Sequence, residues 1–369
     1  MANPKLAMIP SGYGVAEIYS VLPTTGIGDF SFSRNSVATR VNKSNIIEEV
    51  SVNTPRLDYS DGGCPSLLLE STRTNLVTYS ESFDNAYWTK NGSSITSGFT
   101  SPDGTANAFK LTKTGSGNSI LGVIQGLTNV SYTNSFYIKR VSGTGNISLI
   151  LPSGATESIS IDNNWKRYSV TSLQSGFGAF IGLVLSQIND EVLIYGATLE
   201  AGSYSTSYIK SNNGTTITRL ADTCNNNISS ITTVENTNTV VLKFIPIGVD
   251  VDFYSLLSFS DGTNQIKLEG YQGNIYDVFG SGLGSGGMIN GSLSLNADSV
   301  NIISFSYSGT NLIFSHNGNT IATTTPTGNL PTIKEILHST GGLNPIKILK
   351  LEVYNDFKTQ QEINNLTVI

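Results

Sequence analysis

Charged residues and cysteines are scarce in this chain of 369 residues. Asp, Glu, Lys and Arg together make up 13% of it, about half of the roughly 25% found in an average soluble domain. Too few charged side chains remain to cover the exposed faces of long amphipathic helices, which argues against a helical fold. The two cysteines, Cys64 and Cys224, are too few for a disulfide framework, and we expect both to be free thiols.

The chain also lacks an excess of basic residues and any long apolar run. Its formal net charge is −6, so no nucleic-acid partner is expected. No stretch approaches the roughly 20 apolar residues that span a bilayer, and no membrane partner is expected either. The N-terminal stretch lacks the continuous apolar segment of a secretory signal. We therefore expect the protein to be made and kept in the cytoplasm, or to leave it without the general export route.

Short strands separated by turns account for most of what the sequence does contain. Ser, Thr and Asn dominate the polar positions, Gly is abundant, and Thr, Val, Ile and Tyr suit half-buried pleated surfaces. Strand-like segments follow one another at intervals of roughly 8–15 residues in 73–210, and the same pattern restarts in 236–369. This spacing is typical of β-sandwiches and jelly rolls. The predicted fold class is all-β, with an N-terminal extended collar followed by two β-sandwich domains.

The remaining stretches flank or connect those two domains. Residues 1–72 contain short apolar pieces separated by Pro and Gly, so we predict a collar without a core of its own, which packs on another copy or on a partner. Residues 211–235 are rich in Asn and Thr and are predicted to be a linker. Asn317-Gly318 has the composition of a two-residue hairpin turn, and one short helix is predicted in the closing segment KTQQEINNL.

No combination of residues matches a catalytic site. A nucleophilic serine would be indicated by GxSxG, and glycosidases on a concanavalin-like sandwich carry E-x-D-x-x-E along one strand; neither pattern is present. The two histidines, His316 and His338, are too few for a histidine-based zinc site. We therefore expect that the protein is not an enzyme.

Several segments of the chain resemble one known group of proteins. The segments RTNLVTYSESFDNAYWTKNG, TSPDGTANAFKL, SFYIKR, NWKRYSVT and LIYGATLEAGSYSTSYI carry the marks Trp88, Asp103-Gly104 and Trp165, and FSRNSVATRVN and NTPRLDY precede them. Together they resemble phage virion proteins that contain a carbohydrate-binding-module-like jelly roll. The second half, with SFSDGTNQIKL and NIISFSYSGTNLIFSHNG, is similar to a concanavalin A-like or laminin G-like lectin sandwich.

This resemblance implies a bacteriophage virion structural protein, such as a head or tail fibre or a capsid decoration component. Its N-terminal segment would attach to other virion proteins, and its lectin-like domains would adhere to host-surface polysaccharide. A homo-oligomer, most simply a trimer, would follow from a collar without its own core. Two alternatives stay open: a bacterial surface or secreted polysaccharide-binding protein, and a polysaccharide-degrading enzyme.

Aromatic side chains are the candidates for sugar binding, because flat rings stack on the apolar faces of pyranoses. The carbohydrate-binding candidates are Tyr271, Tyr276, Tyr137 and Trp165. In such sandwiches Trp88 and Trp165 are more often core residues, so Trp165 also has a structural interpretation.

Carboxylates and arginines supply the remaining candidates. Carbohydrate-binding modules often hold a structural calcium ion, which carboxylates ligate; here the candidates are Glu81, Asp84 and Glu200. No other cofactor is expected. Four arginines in a chain poor in charge mark the joint between the collar and the first sandwich, where we expect pairing with carboxylates or carbonyls: Arg34, Arg40, Arg56 and Arg73.

Overall fold

The computed structural model describes most of the chain. Its description omits residues 1–2, 128, 175–177, 212–213, 228–230, 232–236, 249–253, 262, 272–274, 281–287, 296–297, 327–328, 334, 339–344 and 369. It covers the backbone alone at residues 125, 227, 254–257, 268–271, 275–280, 288–294 and 335–338.

Strands dominate the described residues. In chain order the elements are β1 (Leu6–Met8), β2 (Tyr13–Gly14), β3 (Glu17–Ile18), β4 (Phe30–Ser33), β5 (Ala38–Val41), β6 (Ile47–Val50), β7 (Leu57–Asp58), β8 (Ser66–Leu69), β9 (Arg73–Asn75), β10 (Ser93–Phe99), β11 (Ala108–Lys113), β12 (Ile120–Gln125), β13 (Ser131–Ser142), β14 (Ile147–Ile150), β15 (Thr156–Ile159), β16 (Lys166–Leu173), β17 (Gly178–Leu185), β18 (Glu191–Ala201), β19 (Ile217–Arg219), β20 (Thr223–Asn227), β21 (Asn238–Pro246), β22 (Tyr254–Ser260), β23 (Gln265–Tyr271), β24 (Ile275–Gly280), β25 (Met288–Ser294), β26 (Asn301–Ser308), β27 (Asn311–His316), β28 (Asn319–Thr324), β29 (Glu335–His338), β30 (Ile346–Tyr354) and α1 (Gln360–Leu366).

The chain forms two compact units that do not follow one another in sequence. The composite unit consists of Met1–Val37, Val50–Ser71 and Leu220–Ile369, and the inserted unit consists of Ala38–Glu49 and Thr72–Arg219. Each unit contains two larger sheets around a buried apolar core. The prediction of an all-β chain with two β-sandwich units is therefore confirmed.

The inserted unit is built from a five-stranded and a four-stranded antiparallel sheet. Their strand orders are β10-β11-β18-β13-β16 and β12-β17-β14-β15. Residues from both sheets, among them Leu111, Ile138 and Leu183, share one core with Trp88 and Phe136. The nearly continuous apolar sequence of β17 is typical of a central strand, and β17 lies between β12 and β14.

The composite unit has an eight-stranded and a nine-stranded sheet. The first has the order β28-β27-β26-β21-β30-β8-β7, with β1 also on β30, and the second has the order β2-β3-β4-β20-β29-β22-β23-β24-β25. Phe305 of the first sheet and Phe259 of the second meet in the common core, with ring centroids 6.3 Å apart. Because β26 is central and almost wholly buried, its sequence carries no charge.

The predicted collar and linker take part in these sheets. Residues 1–72 do form short extended strands, but β1 pairs with β30 and β4 pairs with β20 within the composite unit, and residues 38–49 belong to the inserted unit. Residues 211–235 are more than a linker, since β19 pairs with β9 and β20 pairs with β4 and β29. The division into consecutive domains was wrong because these pairings join segments that are distant in the sequence.

The hairpin turn, the closing helix and the two cysteines agree with their predictions. Asn317 and Gly318 both have positive φ, 46° and 80°, in the hairpin between β27 and β28, as a primed turn requires. The closing helix α1 is present and begins at a capping box formed by Thr359 and Glu362. Both cysteines are free thiols. In the described part of the chain no helix is long and apolar enough to cross a membrane.

Candidate functional site

The candidate site lies on the outer face of the five-stranded sheet in the inserted unit. Successive residues of a strand point to opposite faces, and in β13 Phe136 and Ile138 belong to the core between the sheets. Tyr137 packs instead on the outer face against buried Tyr195 and Tyr208. Its ring centroid lies 6.0 Å from that of Tyr195 and 6.2 Å from that of Tyr208. The tyrosine cluster (Tyr137, Tyr195 and Tyr208) therefore holds the Tyr137 ring in place.

The hairpin of β5 and β6 covers part of this face. The Thr39 hydroxyl donates a hydrogen bond to the carbonyl of Tyr208 at 2.6 Å, and the Ile47 amide donates to the carbonyl of Pro102 at 3.0 Å. The Ile47 side chain is buried against the tyrosine cluster. These hydrogen bonds and the apolar packing together fix the hairpin on the sheet.

A groove of about 480 Å³ opens between the hairpin, the loop at Thr100–Gly104 and the start of β16. Tyr137 and Trp165 both line it, so two of the four aromatic residues predicted to bind sugar come together. Strand pairing explains this: Tyr137 pairs with Arg167, and Trp165 precedes Arg167 by two positions, on the same face of the sheet. The groove is also lined by Val41, Asn45, Ile46, Lys139 and Asn164.

Asp103 holds the loop that lines the groove. Its carboxylate accepts hydrogen bonds from the Ser101 hydroxyl at 2.5 Å, from the amide and hydroxyl of Thr105 at 2.8 and 2.7 Å, and from the Asn107 side-chain amide at 3.1 Å. Burial raises the pKa of Asp103, but these hydrogen bonds outweigh it and lower the pKa to about 2. Gly104 has a φ of 80°, a conformation that favours glycine. The Asp103-Gly104 mark is therefore the turn of this loop.

Glu81 binds the hydroxyls of the tyrosine cluster. Its Oε1 accepts hydrogen bonds from Tyr195 at 2.9 Å and from Tyr208 at 2.8 Å, and its Oε2 lies 2.8 Å from the Lys210 ammonium. The Tyr195 hydroxyl is also 3.0 Å from Asp103. Burial, reinforced by neighbouring negative charge, raises the pKa of both phenols above the ordinary value. Both hydroxyls thus remain donors at neutral pH.

The three carboxylates predicted to bind calcium do not form one site. Glu81 is bonded to the phenols and to lysine, whereas buried Glu200 accepts hydrogen bonds from the Thr206 hydroxyl at 2.6 Å and from Arg167 at 3.5 Å. Asp84 is exposed. Within the described part of the chain, no group of three or more His, Cys, Asp or Glu residues is arranged to hold a metal ion. These residues do not fit a shared calcium ion, and calcium binding elsewhere stays a prediction.

The other aromatic candidates have different environments. Tyr271 and Tyr276 lie in β23 and β24, where the description covers the backbone alone, so their side chains lie outside the described residues. Trp88 is 1% exposed and belongs to the core, as its structural interpretation predicted. Trp165 is half-buried and lines the groove, so it is placed as a binding residue would be.

Two of the four arginines share one buried carboxylate in the composite unit. Arg34 pairs with Asp222 at 3.1 Å and also donates to the carbonyl of Ser51 at 2.7 Å. Arg56 pairs with Asp222 and, at 2.5 Å, with Glu70. All of these side chains are at most 1% exposed. The expected pairing with carboxylates or carbonyls is present at both arginines.

The other two arginines lie in the inserted unit. Arg40 forms an ion pair with Glu48 at 2.7 Å across the β5–β6 hairpin, and the Arg73 guanidinium lies 4.8 Å from the centre of the Tyr204 ring. Arg40 thus supports one wall of the groove. The attachment role expected for the four arginines stays a prediction.

Sequence reasoning missed the residues that complete the groove. Lys139 follows Tyr137 by two positions, and strand alternation alone would have placed it on the same face. Asn45 and Ile46 belong to a stretch that was assigned to the collar. No local signal indicates that this hairpin packs on a sheet whose strands lie much further along the sequence. Only the tertiary pairing brings them to the site.

No protein-family model matches the chain, and no curated protein matches it significantly. Among solved structures, the chain is similar to the CBM40 of the Ruminococcus gnavus IT-sialidase bound to alpha2,3 sialyllactose, with 14% identity and a TM-score of 0.31 over 37% of this chain and 84% of that chain. Domain 4 of AbnA, a GH43 extracellular arabinanase from Geobacillus stearothermophilus in complex with arabinotriose, gives 16% identity and a TM-score of 0.33 over 45% and 82%. The Caenorhabditis elegans galectin LEC-6 gives 11% and 0.25 over 32% and 83%.

The TM-scores are low, so the fold is assigned from the strand pairing and the two cores alone. The ligands named for those structures are ligands of those proteins.

Proposed function

We propose that this protein binds glycans in the groove lined by Tyr137 and Trp165. Pyranose rings have apolar faces that stack on flat aromatic side chains, and their hydroxyls require directed hydrogen bonds. The groove offers both, because Asn45 and Asn164 line it together with the two aromatic residues. The observation that carries the proposal is that Tyr137 and Trp165 line one groove.

Rigid support of the groove favours binding. The Tyr137 ring is held by the tyrosine cluster and by the Arg167 guanidinium, 5.6 Å from its centre. The loop opposite is held by the hydrogen bonds of Asp103. A site that is ordered before the ligand arrives loses less conformational entropy on binding.

The described lining of this groove has no catalytic pair of carboxylates, and we assign the groove a binding role without hydrolysis. Glycosidases place two carboxyl groups on either side of the scissile bond. Among the described residues that line the groove, none is Asp or Glu. Glu81 and Asp103 are bonded to hydroxyls and amides. Release of reducing ends from a polysaccharide by the purified protein would contradict this assignment.

We propose more specifically that the protein is a bacteriophage virion structural protein. It would be a head or tail fibre or decoration component that presents the groove to host-surface polysaccharide. The resemblance of its segments to phage virion proteins supports it. Many copies on one particle would convert weak glycan binding into firm adhesion. A bacterial surface or secreted polysaccharide-binding protein is the alternative, and the groove suits both.

Antibodies against residues 236–369 distinguish these two roles by electron microscopy. Label on phage particles supports the virion role, and label on bacterial cells without particles supports the alternative. The predicted trimer is tested separately, by size-exclusion chromatography with light scattering on the full chain.

Glycan binding itself is tested with a glycan array followed by calorimetry on the full chain. Trp165→Ala should weaken binding at least about tenfold, equivalent to about 1.4 kcal/mol. The matched control is Tyr19→Ala, which removes an aromatic side chain that is 43% exposed in the composite unit and should leave binding unchanged. Binding that survives Trp165→Ala would rule out this groove.

A further inference from the structure

Among the described residues that line the groove, Lys139 is the single charged one. It follows Tyr137 by two positions in β13, so both side chains point to the outer face of the sheet. Two such residues lie about 6.8 Å apart along a strand. A sugar ring stacked on the aromatic side of the groove therefore brings its substituents close to the Lys139 ammonium.

The Lys139 ammonium makes no hydrogen bond or ion pair with any residue that the structure describes. Nearby lysines of the same unit are paired: Lys110 binds Glu191 at 2.7 Å, and Lys166 binds Asp162 at 2.6 Å. Lys139 is nevertheless half-buried. A cation that has lost part of its hydration gains from an anionic ligand, because charge-assisted hydrogen bonds replace the lost water.

We infer that the glycan bound in this groove is acidic and that Lys139 binds its carboxylate. The inference rests on the proposed glycan-binding function and specifies the class of its ligand. A hexuronic acid carries an apolar ring face and a carboxylate on the same ring. These two features match the aromatic pair and the ammonium of this groove.

Lys139 gives the described lining of the groove a positive charge, although the chain as a whole is acidic. The Arg167 guanidinium beside the Tyr137 ring is paired with buried Glu200 at 3.5 Å, and the Asp103 carboxylate behind the loop accepts hydrogen bonds from Ser101, Thr105 and Asn107. The net charge of −6 weakly repels an acidic polymer at long range. Exposed charges are screened beyond about 8 Å at physiological ionic strength, so the groove's own cation decides the preference.

The experiment compares acidic polysaccharides with their neutral forms. Polygalacturonate, alginate and hyaluronan, each beside its carboxyl-reduced counterpart, are titrated with the full-length protein. The variants are Lys139→Met, which keeps the apolar stem and removes the charge, Lys139→Arg, which keeps the charge, and Trp165→Ala. Thermal unfolding of each variant verifies that it is folded.

The original chain should bind at least one acidic polysaccharide about tenfold or more tightly than its reduced form, and this preference should weaken with added salt. Lys139→Met should abolish the preference, and Lys139→Arg should retain it. Equal binding of both forms, binding of neutral glycans alone, or a preference that survives Lys139→Met would overturn the inference and leave the glycan-binding function intact. If no glycan binds, or if Trp165→Ala has no effect, the proposed function itself fails, and the inference fails with it.

Discussion

The guanidinium of Arg56 and the carboxylate of Asp222 form an ion pair in which both side chains are completely shielded from solvent. Asp222 also binds Arg34, and Arg56 also binds Glu70. Burial lowers the pKa of Arg56, but the attraction of Asp222 and Glu70 outweighs it and raises the pKa, so the guanidinium stays charged. The composite unit therefore contains two buried cations that depend on two buried carboxylates.

Replacing Asp222 should strongly destabilise the composite unit. Asp222→Ala leaves Arg34 and Arg56 without their common partner, and removing one member of a buried ion pair costs about 3–5 kcal/mol. Urea unfolding of the full chain measures the loss. The control is Asp61→Ala, which breaks the 2.8 Å ion pair between Asp61 and Lys347. The Asp61 side chain is 45% exposed, so this variant should lose less than about 1 kcal/mol of unfolding free energy. Equal losses in the two variants would show that burial does not matter here.

The arginine pairing was partly predictable from the sequence. In a chain with so little charge, buried arginines must find carboxylates or carbonyls, because an unpaired buried charge is too costly. The partner could not be predicted, since Asp222 lies in a stretch whose composition indicated a linker. That stretch is a strand region because β20 pairs with β4 and β29, which are distant in the sequence.

The loop beside the groove should become less stable in acid. The folded-state pKa of Asp103 is about 2, below the ordinary value of about 3.9. Its ionised form therefore stabilises the fold fully above about pH 4, and that contribution is lost as the pH falls towards 2. The difference in thermal stability between the original chain and Asp103→Asn should shrink over this interval.

A second variant makes this pH dependence specific to the hydrogen bonds. Ser101→Ala removes one donor to the Asp103 carboxylate, so it should raise the pKa of Asp103 and move the loss of stability to higher pH. An unchanged pH profile in Ser101→Ala would contradict the assignment of the low pKa to these bonds.

The hairpin over the sheet should be needed for glycan binding. Ile47→Ala removes a buried side chain from the contact with the tyrosine cluster and should cost about 2–5 kcal/mol. The loosened hairpin should also weaken glycan affinity. Arg40→Met breaks the partly exposed pair with Glu48 and should cost about 0–1 kcal/mol. Calorimetry on both variants, beside their unfolding curves, separates the two effects.

The composition and strand spacing of the sequence were enough to predict an all-β chain, its two sandwiches, the primed turn at Asn317-Gly318 and the closing helix, because each depends on local signals. The groove depends on pairing between distant segments. Tyr137 and Trp165 were identified by their chemistry, but their meeting follows from the register of β13 and β16. The two tryptophans had the same structural interpretation in the sequence, and only their burial separates them.

Trp88 and Trp165 should therefore respond in opposite ways to substitution and to ligand. Trp88 is 1% exposed in the core, where its ring lies 5.2 Å from Phe83, so Trp88→Ala should cost about 3–5 kcal/mol of stability. Trp165→Ala should change stability little and weaken glycan binding at least about tenfold. In Trp165→Phe the remaining tryptophan fluorescence comes from Trp88 and should not change on addition of glycan, whereas in Trp88→Phe the signal of Trp165 should shift as the ligand covers its ring. A glycan-dependent signal from Trp88 alone would place the binding site away from the groove.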